Sequence, residues 1–393
     1  MRITALILIV LLLLPGCSAG GNPDGQPTGS SAPGVGAETE IFTPDHQLSM
    51  EETIENFFSL QYDIYTGMRY FDISCLIDTS QQRLVNELVW LQTLTLRRRL
   101  IAENGFCYVE TQRYPYTIRF DEQAEDERLE FWSRHGMKTE GSMVVNFTIT
   151  GEAGRAYPPF LAVNSQHTMF LKQENGVWKI TFHYYSGASR FRNKTLVVPG
   201  EGEMLAGLRD EFKNVSEPDL ERASVPPGTA AYDGTRAVEY AMRHAESANP
   251  IFYDAGDWRG NCANFTSQCI WAGFGGRGET DVSGQRFMTS RWYAGEGGGS
   301  SAWENVVSFW NYAANPPRSG GLNGTVAAGI SQLKPGGIIQ TRLPGEGEEF
   351  GHSLLLVNPS TLMLAQNSPD NFVYYSDLVS SEMRFYNPAY LVE

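Results

Sequence analysis

Residues 259–276 read RGNCANFTSQCIWAGFGG, and the roles of its two cysteines decide what the second half of the chain can be. Gly260-Asn261 is a helix entry, because Asn is a favoured N-cap. That places Cys262 in the first helical turn, with Gly273 and Gly275-Gly276 at the stop. A first-turn cysteine faces the positive end of the helix dipole, which lowers its pKa and favours the reactive thiolate. Cys269 lies two turns on, beside Ile270-Trp271 and on the same inward face as Phe265. Apolar burial there keeps a thiol neutral and inert. Positions i and i+7 of a helix are about 10 Å apart, too far for a disulfide. Two cysteines with no neighbouring His or Cys pair do not complete a zinc site, so no metal and no other cofactor is expected.

A thiolate nucleophile needs a base. Downstream of residue 231 the histidines are His244, expected on the solvent side of a helix, and His352, which opens the apolar strand 353–357. The next strand is expected over 362–368, across a turn at Asn358-Pro359-Ser360-Thr361. Centring a two-residue turn on Pro359-Ser360 sets His352 opposite Asn367. Directly opposed side chains project from one face about 5 Å apart, so Asn367 is expected to orient the imidazole, with Asp370 as second choice. Cys on a helix N-terminus, then His on a strand, then Asn on the next is the papain-type order. It predicts a papain-like α+β cysteine hydrolase domain over 232–393, with Cys262, His352 and Asn367 as its catalytic set. Asn264, Gln268, Trp258 and Trp303 are the candidate binding residues. Bonding of loops around the helix competes with that role for the two amides. Core burial competes with it for the tryptophans and for Trp292 and Tyr293.

The run Asn261-Cys262-Ala263-Asn264-Phe265-Thr266-Ser267-Gln268-Cys269 followed by Ala272-Gly273 resembles the "putative amidase domain" of bacterial exported proteins, whose members show D-C-x-N-F-x-S-Q here. Supporting matches are Ala237, Tyr240 and Ala241, Trp303-x-Asn305, Trp310-Asn311-Tyr312, 334–340 (KPGGIIQ) and Gly351-His352-Ser353. The resemblance covers 232–378 and implies hydrolysis of an amide bond, with cell-wall peptide as a candidate substrate. Asn261 stands where the family usually has Asp, and Asn367 where it tends to have His. A catalytically inactive lipoprotein that binds wall fragments or a protein partner is therefore the alternative.

The remaining chain places this domain. Met1-Arg2 and the apolar stretch 3–14 are too short to span a bilayer and read as a signal peptide. Leu14-Pro15-Gly16-Cys17 resembles a lipobox, which implies lipidation of Cys17 after removal of what precedes it. Residues 18–46, rich in Gly, Pro and Ser, are a flexible tether. The expected location is therefore extracytoplasmic, on a membrane through a lipid anchor. Residues 47–213 read as an accessory α+β domain: two helices, over 49–65 and 81–103, precede strands at 143–150, 167–173 and 177–185, the last two joined at Asn175-Gly176. This pattern resembles nuclear-transport-factor-like domains; His167 and His183 read as satisfied structural histidines. Pro218, Pro226, Pro227 and Gly228 mark a linker over 214–231. A disulfide between Cys75 and Cys107 is compatible with the sequence, which does not decide it. The 393 residues carry a net charge of −15, spread along the chain without an acidic run, which argues against a phosphate backbone, so no nucleic-acid partner is expected.

Overall fold

Two helices and a hairpin-built sheet start the fold, and each begins from a local signal. Our structure is a computed structural model. It describes residues 40–121, 141–185, 195–213, 226–254, 260–277, 287–295, 298–315, 321–342, 349–367 and 371–392. The leader, Cys17 and most of the tether lie outside the described residues, as do Trp258, Asp370 and the linker up to 225. Helix α1 (Met50–Gly67) opens with a capping box: the Ser49 hydroxyl accepts from the Glu52 N–H, and the Glu52 carboxylate accepts from the Ser49 N–H. Helix α2 (Gln82–Asn104) ends where Gly105 takes φ +63°. Strands β1 (Tyr116–Phe120), β2 (Met143–Gly151), β3 (Ser165–Glu174) and β4 (Val177–Tyr184) form one antiparallel sheet in that order. Asn175 and Gly176 both have positive φ, as a tight hairpin turn requires. Ile54, Phe57 and Phe58 of α1 and Leu84, Leu88 and Leu91 of α2 pack on Phe147, Ile149, Met169 and Ile180 of the sheet. Cys75 and Cys107 are not joined in a disulfide.

Helix α3 (Glu201–Glu211) leads toward the second half. There β5 (Ala230–Ala231) precedes α4 (Gly234–His244) and α5 (Cys262–Gly273). A small ribbon of β6 (Ala294–Gly295) and β7 (Gly298–Gly299) follows, then α6 (Ser301–Glu304) and α7 (Val306–Ala313). The sheet is completed by β8 (Gly321–Ala327), β9 (Ile338–Arg342), β10 (His352–Asn358), β11 (Met363–Ala365), β12 (Phe372–Tyr374) and β13 (Glu382–Val392). Its order is β12-β11-β10-β9-β13-β5, with β8 also on β13, and every pairing is antiparallel. The α+β class expected from sequence is the class observed. Ala230-Ala231, read as the end of a linker, is a strand of this sheet.

The sheet is covered on both faces, which explains why β10 reads as continuous apolar sequence. On one face Leu355 and Val357 meet Phe265, Cys269, Ile270 and Trp271 of α5. On the other, Leu354 and Leu356 meet Leu364, Val373 and Phe385, and Cys107 and Phe212 of the first half pack against this group. Helix α5 is enclosed on all sides, every residue from Cys262 to Gly273 being buried. On α4, Ala237, Tyr240 and Ala241 are buried, whereas Met242 is 43% exposed. Among the described residues, no helix is long and apolar enough to cross a membrane.

Candidate active site

Cys262 occupies the first turn of α5, as the sequence predicts, and its thiol sits beside His352 at the start of β10. Burial pushes this thiol up. The charge and hydrogen bond of His352, with hydrogen bonds from the Ser353 and Ala263 backbone amides, outweigh burial, and the net shift is downward. Cys269 shows the opposite balance: it is fully buried, and burial holds its thiol well above the ordinary range. One helix thus carries a thiol drawn down at its start and one pushed up in its body.

The residue bonded to the imidazole is Gln366, not the expected Asn367. His352 Nε2 is hydrogen-bonded to Gln366 Oε1. An amide oxygen only accepts, so Nε2 carries the proton and Nδ1 is left to face Cys262. The cause is strand register. The loop spans Pro359 to Leu362, with Leu362 at φ +51° and a bulge between Leu356 and Asn358, so Leu355 pairs with Ala365. That is one residue away from the register a two-residue turn would give, and a one-residue shift exchanges the faces. Gln366 comes to the His352 side and Asn367 to the side of Ser353. Strand β11 also ends at Ala365, shorter than the expected 362–368.

Asn367 is instead tied to the helix entry. Its Oδ1 accepts from Asn261 Nδ2 at 2.7 Å, and its Nδ2 donates to the Ala245 carbonyl at 3.1 Å. Asn261 is the N-cap of α5 by position, yet its side chain makes no capping bond to the helix amides. Its Oδ1 accepts from Asn264 Nδ2 at 2.8 Å. The two residues that depart from the family pattern therefore contact each other.

Asn264 and Gln268 are both buried in the core, and every hydrogen-bonding position of the Asn264 amide is taken. Asn264 Nδ2 also donates to the Tyr253 carbonyl at 2.6 Å, while its Oδ1 accepts from Trp303 Nε1 at 2.7 Å and Gln268 Nε2 at 3.1 Å. Gln268 Oε1 accepts from the Tyr240 hydroxyl at 2.8 Å. Trp303 and Trp292 are fully buried, their ring centroids 4.7 Å apart with the planes tilted by 42°, and Trp292 Nε1 donates to Ser267 Oγ at 3.2 Å. The proposed binding role fails for Asn264, Gln268 and Trp303 because core packing claims them. Among the described residues no cluster of His, Cys, Asp and Glu is arranged to hold a metal ion.

Comparison with known proteins places this half of the chain. An uncharacterized protein of Bacillus subtilis (strain 168), YhbB, is 29% identical over 126 residues, which is 32% of this chain and 37% of the relative. The chain thus spans little more than a third of that relative. No solved structure matches. Residues 231–386, from β5 through Cys262 and His352 into β13, match the model of the family described as "Putative amidase domain".

Proposed function

We propose that the chain is a papain-like cysteine amidase or peptidase held on the outer side of a membrane by a lipid on Cys17, with cell-wall peptide as its substrate. The observation that carries the reading is the line from Cys262 through His352 to Gln366, set at a helix N-terminus. The family match supports amide hydrolysis.

In this mechanism His352 Nδ1 takes the Cys262 proton while Sγ attacks the amide carbonyl carbon, forming an S–C bond and an oxyanion. The Cys262 backbone N–H, in the first turn and without a partner one turn earlier, donates to that oxyanion. The imidazolium then protonates the leaving nitrogen as the C–N bond breaks, giving a thioester. Water gives a proton to His352 and attacks the thioester; the acid leaves and the thiol is restored. Gln366 Oε1 holds the Nε2–H throughout and so fixes which nitrogen acts.

The test is hydrolysis of isolated peptidoglycan and of simple peptide amides, with Cys262→Ala as control. New amine termini released by the native chain and not by Cys262→Ala are expected. No release from any substrate, with Cys262 as slow as Cys269 toward iodoacetamide, would leave only a binding protein.

A further inference from the structure

Ser353, Gln340 and Arg384 form one row across β10, β9 and β13, paired in register. Opposed residues share a face. That face is the one carrying the active helix, since Ser353 Oγ meets Thr266 Oγ1 of α5 at 3.1 Å. Arg384 is held tightly in this row. Its Cζ lies 3.9 Å from the Phe350 ring centroid and 4.2 Å from that of Trp310, so the guanidinium is clamped by two aromatic side chains. Its Nε and Nη2 both donate to Gln340 Oε1, at 2.8 and 2.6 Å. Gln340 is fully buried and its own Nε2 donates to the Val306 carbonyl at 3.0 Å, which fixes the amide oxygen toward the arginine. Val306 in turn packs on Cys262 and Ala263, with Phe350 against the same group. The arginine and the nucleophile are therefore built into one wall.

This cation is prepared but not neutralised. Among the described residues no carboxylate pairs with it, and the nearby Glu382 is engaged by Arg342 at 2.7 Å. Burial draws the guanidinium down to about 10, only partly offset by the charge of Glu382. Two of its five N–H groups go to a neutral amide, and the Nη1–Nη2 edge retains the fork that matches a carboxylate. The Arg384 backbone is two strands, about 10 Å, from Ser353, a span of roughly three residues of extended peptide.

We propose that Arg384 is a specificity-determining residue that binds a carboxylate of the substrate, so that the site takes acidic peptides with a carboxylate within one to three residues of the bond Cys262 attacks. The word substrate rests on the reading of Cys262 as nucleophile; the recognition itself does not, and is measured without chemistry. The full chain carrying Cys262→Ala is titrated calorimetrically with acetyl-alanyl-glutamate and with its fully amidated counterpart. The anion is expected to bind at least tenfold more tightly, and the preference to fall to about one in Arg384→Gln. Arg384→Lys keeps the charge but not the fork and is expected to retain only part of it. Thermal melting of each variant shows that it is folded. Equal affinity for anion and amide in the Cys262→Ala chain overturns the proposal, as does a full preference persisting in both Arg384 variants. Inert Cys262 with Arg384-dependent binding intact would remove the hydrolase reading and leave this one standing.

Discussion

At the scale of single residues, the outcome at Cys262 is set by which opposing effect is larger. Burial alone would raise the thiol; the neighbouring imidazole and two backbone amides reverse the sign. The rate of Cys262 alkylation by iodoacetamide should therefore rise with pH to a midpoint below the ordinary thiol value of about 8.5. In His352→Ala the burial effect stands without the imidazole opposing it, so the midpoint should move upward. A midpoint unchanged by that substitution would show that His352 does not hold the thiolate. Gln366 acts on the sulfur only through His352 and is a positioning residue. Gln366→Ala should slow Cys262 alkylation at neutral pH by about tenfold or more by freeing the ring to turn. Gln366→Glu should restore the rate and extend the imidazolium-supported window to higher pH, because a carboxylate beside Nε2 favours the charged ring. Asn367→Ala, by contrast, should leave the midpoint in place, and a shift there as large as that of Gln366→Ala would contradict the assignment.

At the scale of elements, helix α5 and strand β10 are what the sequence makes legible, and the ends of β11 are what it hides. Asn261, the glycines after Gly273 and the apolar run 353–357 are local signals that bound α5 and β10. The register of β11 depends on Leu362 adopting a left-handed φ and on a bulge at Val357. Neither residue type announces such a conformation, so local sequence points to a symmetric turn and to Asn367 rather than to its neighbour Gln366. The amide-rich composition of α5 was ambiguous for the same reason: Asn and Gln in a helix look available until partners from distant segments appear. Those partners also predict how the element fails. Asn264 satisfies Trp303 Nε1, Gln268 Nε2, the Tyr253 carbonyl and Asn261 Oδ1 at once. Asn264→Leu keeps the branched heavy-atom outline but strands these buried groups, and should cost about 3 kcal/mol or more in urea unfolding. A loss below about 1 kcal/mol would mean that the network is replaceable by packing.

At the scale of the whole molecule, the two halves are joined by buried charge rather than by a tether alone. Arg98 of α2 is fully buried and pairs through Nη1 with Asp377, in the short 3-10 turn Tyr375–Asp377 that follows β12. Tyr65 of α1 donates to the other oxygen of Asp377 at 2.8 Å, and its ring lies 3.5 Å from the Arg98 Cζ. Beside it Arg97 binds Glu211 through two parallel hydrogen bonds at 3.0 and 2.8 Å, and Glu211 also accepts from the Tyr375 hydroxyl at 3.1 Å. Nothing local in the sequence links Arg98 to Asp377, so this connection between the halves is not legible from sequence alone. Removing one member of such a pair leaves the other charged, buried and unpaired. Asp377→Leu should therefore destabilise the chain by about 3–5 kcal/mol, whereas Arg98→Met with Asp377→Leu should recover much of that loss. A second whole-molecule dependence comes from the first half's core, where His183 Nε2 meets His167 Nδ1 at 3.1 Å and His183 Nδ1 meets Glu87 Oε1 at 2.8 Å. Burial first, and the charge of His183 second, hold His167 well below the ordinary histidine range. The folded chain thus keeps His167 neutral, while the unfolded chain protonates it near pH 6.5, so the unfolded state binds more protons below that value. Stability should be full above about pH 6.5 and fall as the pH drops through it. His167→Phe should flatten this slope in calorimetric unfolding between about pH 5 and 7, if it packs against Phe58 and Phe147 as the imidazole does. An unchanged slope in a folded His167→Phe chain would assign the acid sensitivity to other groups.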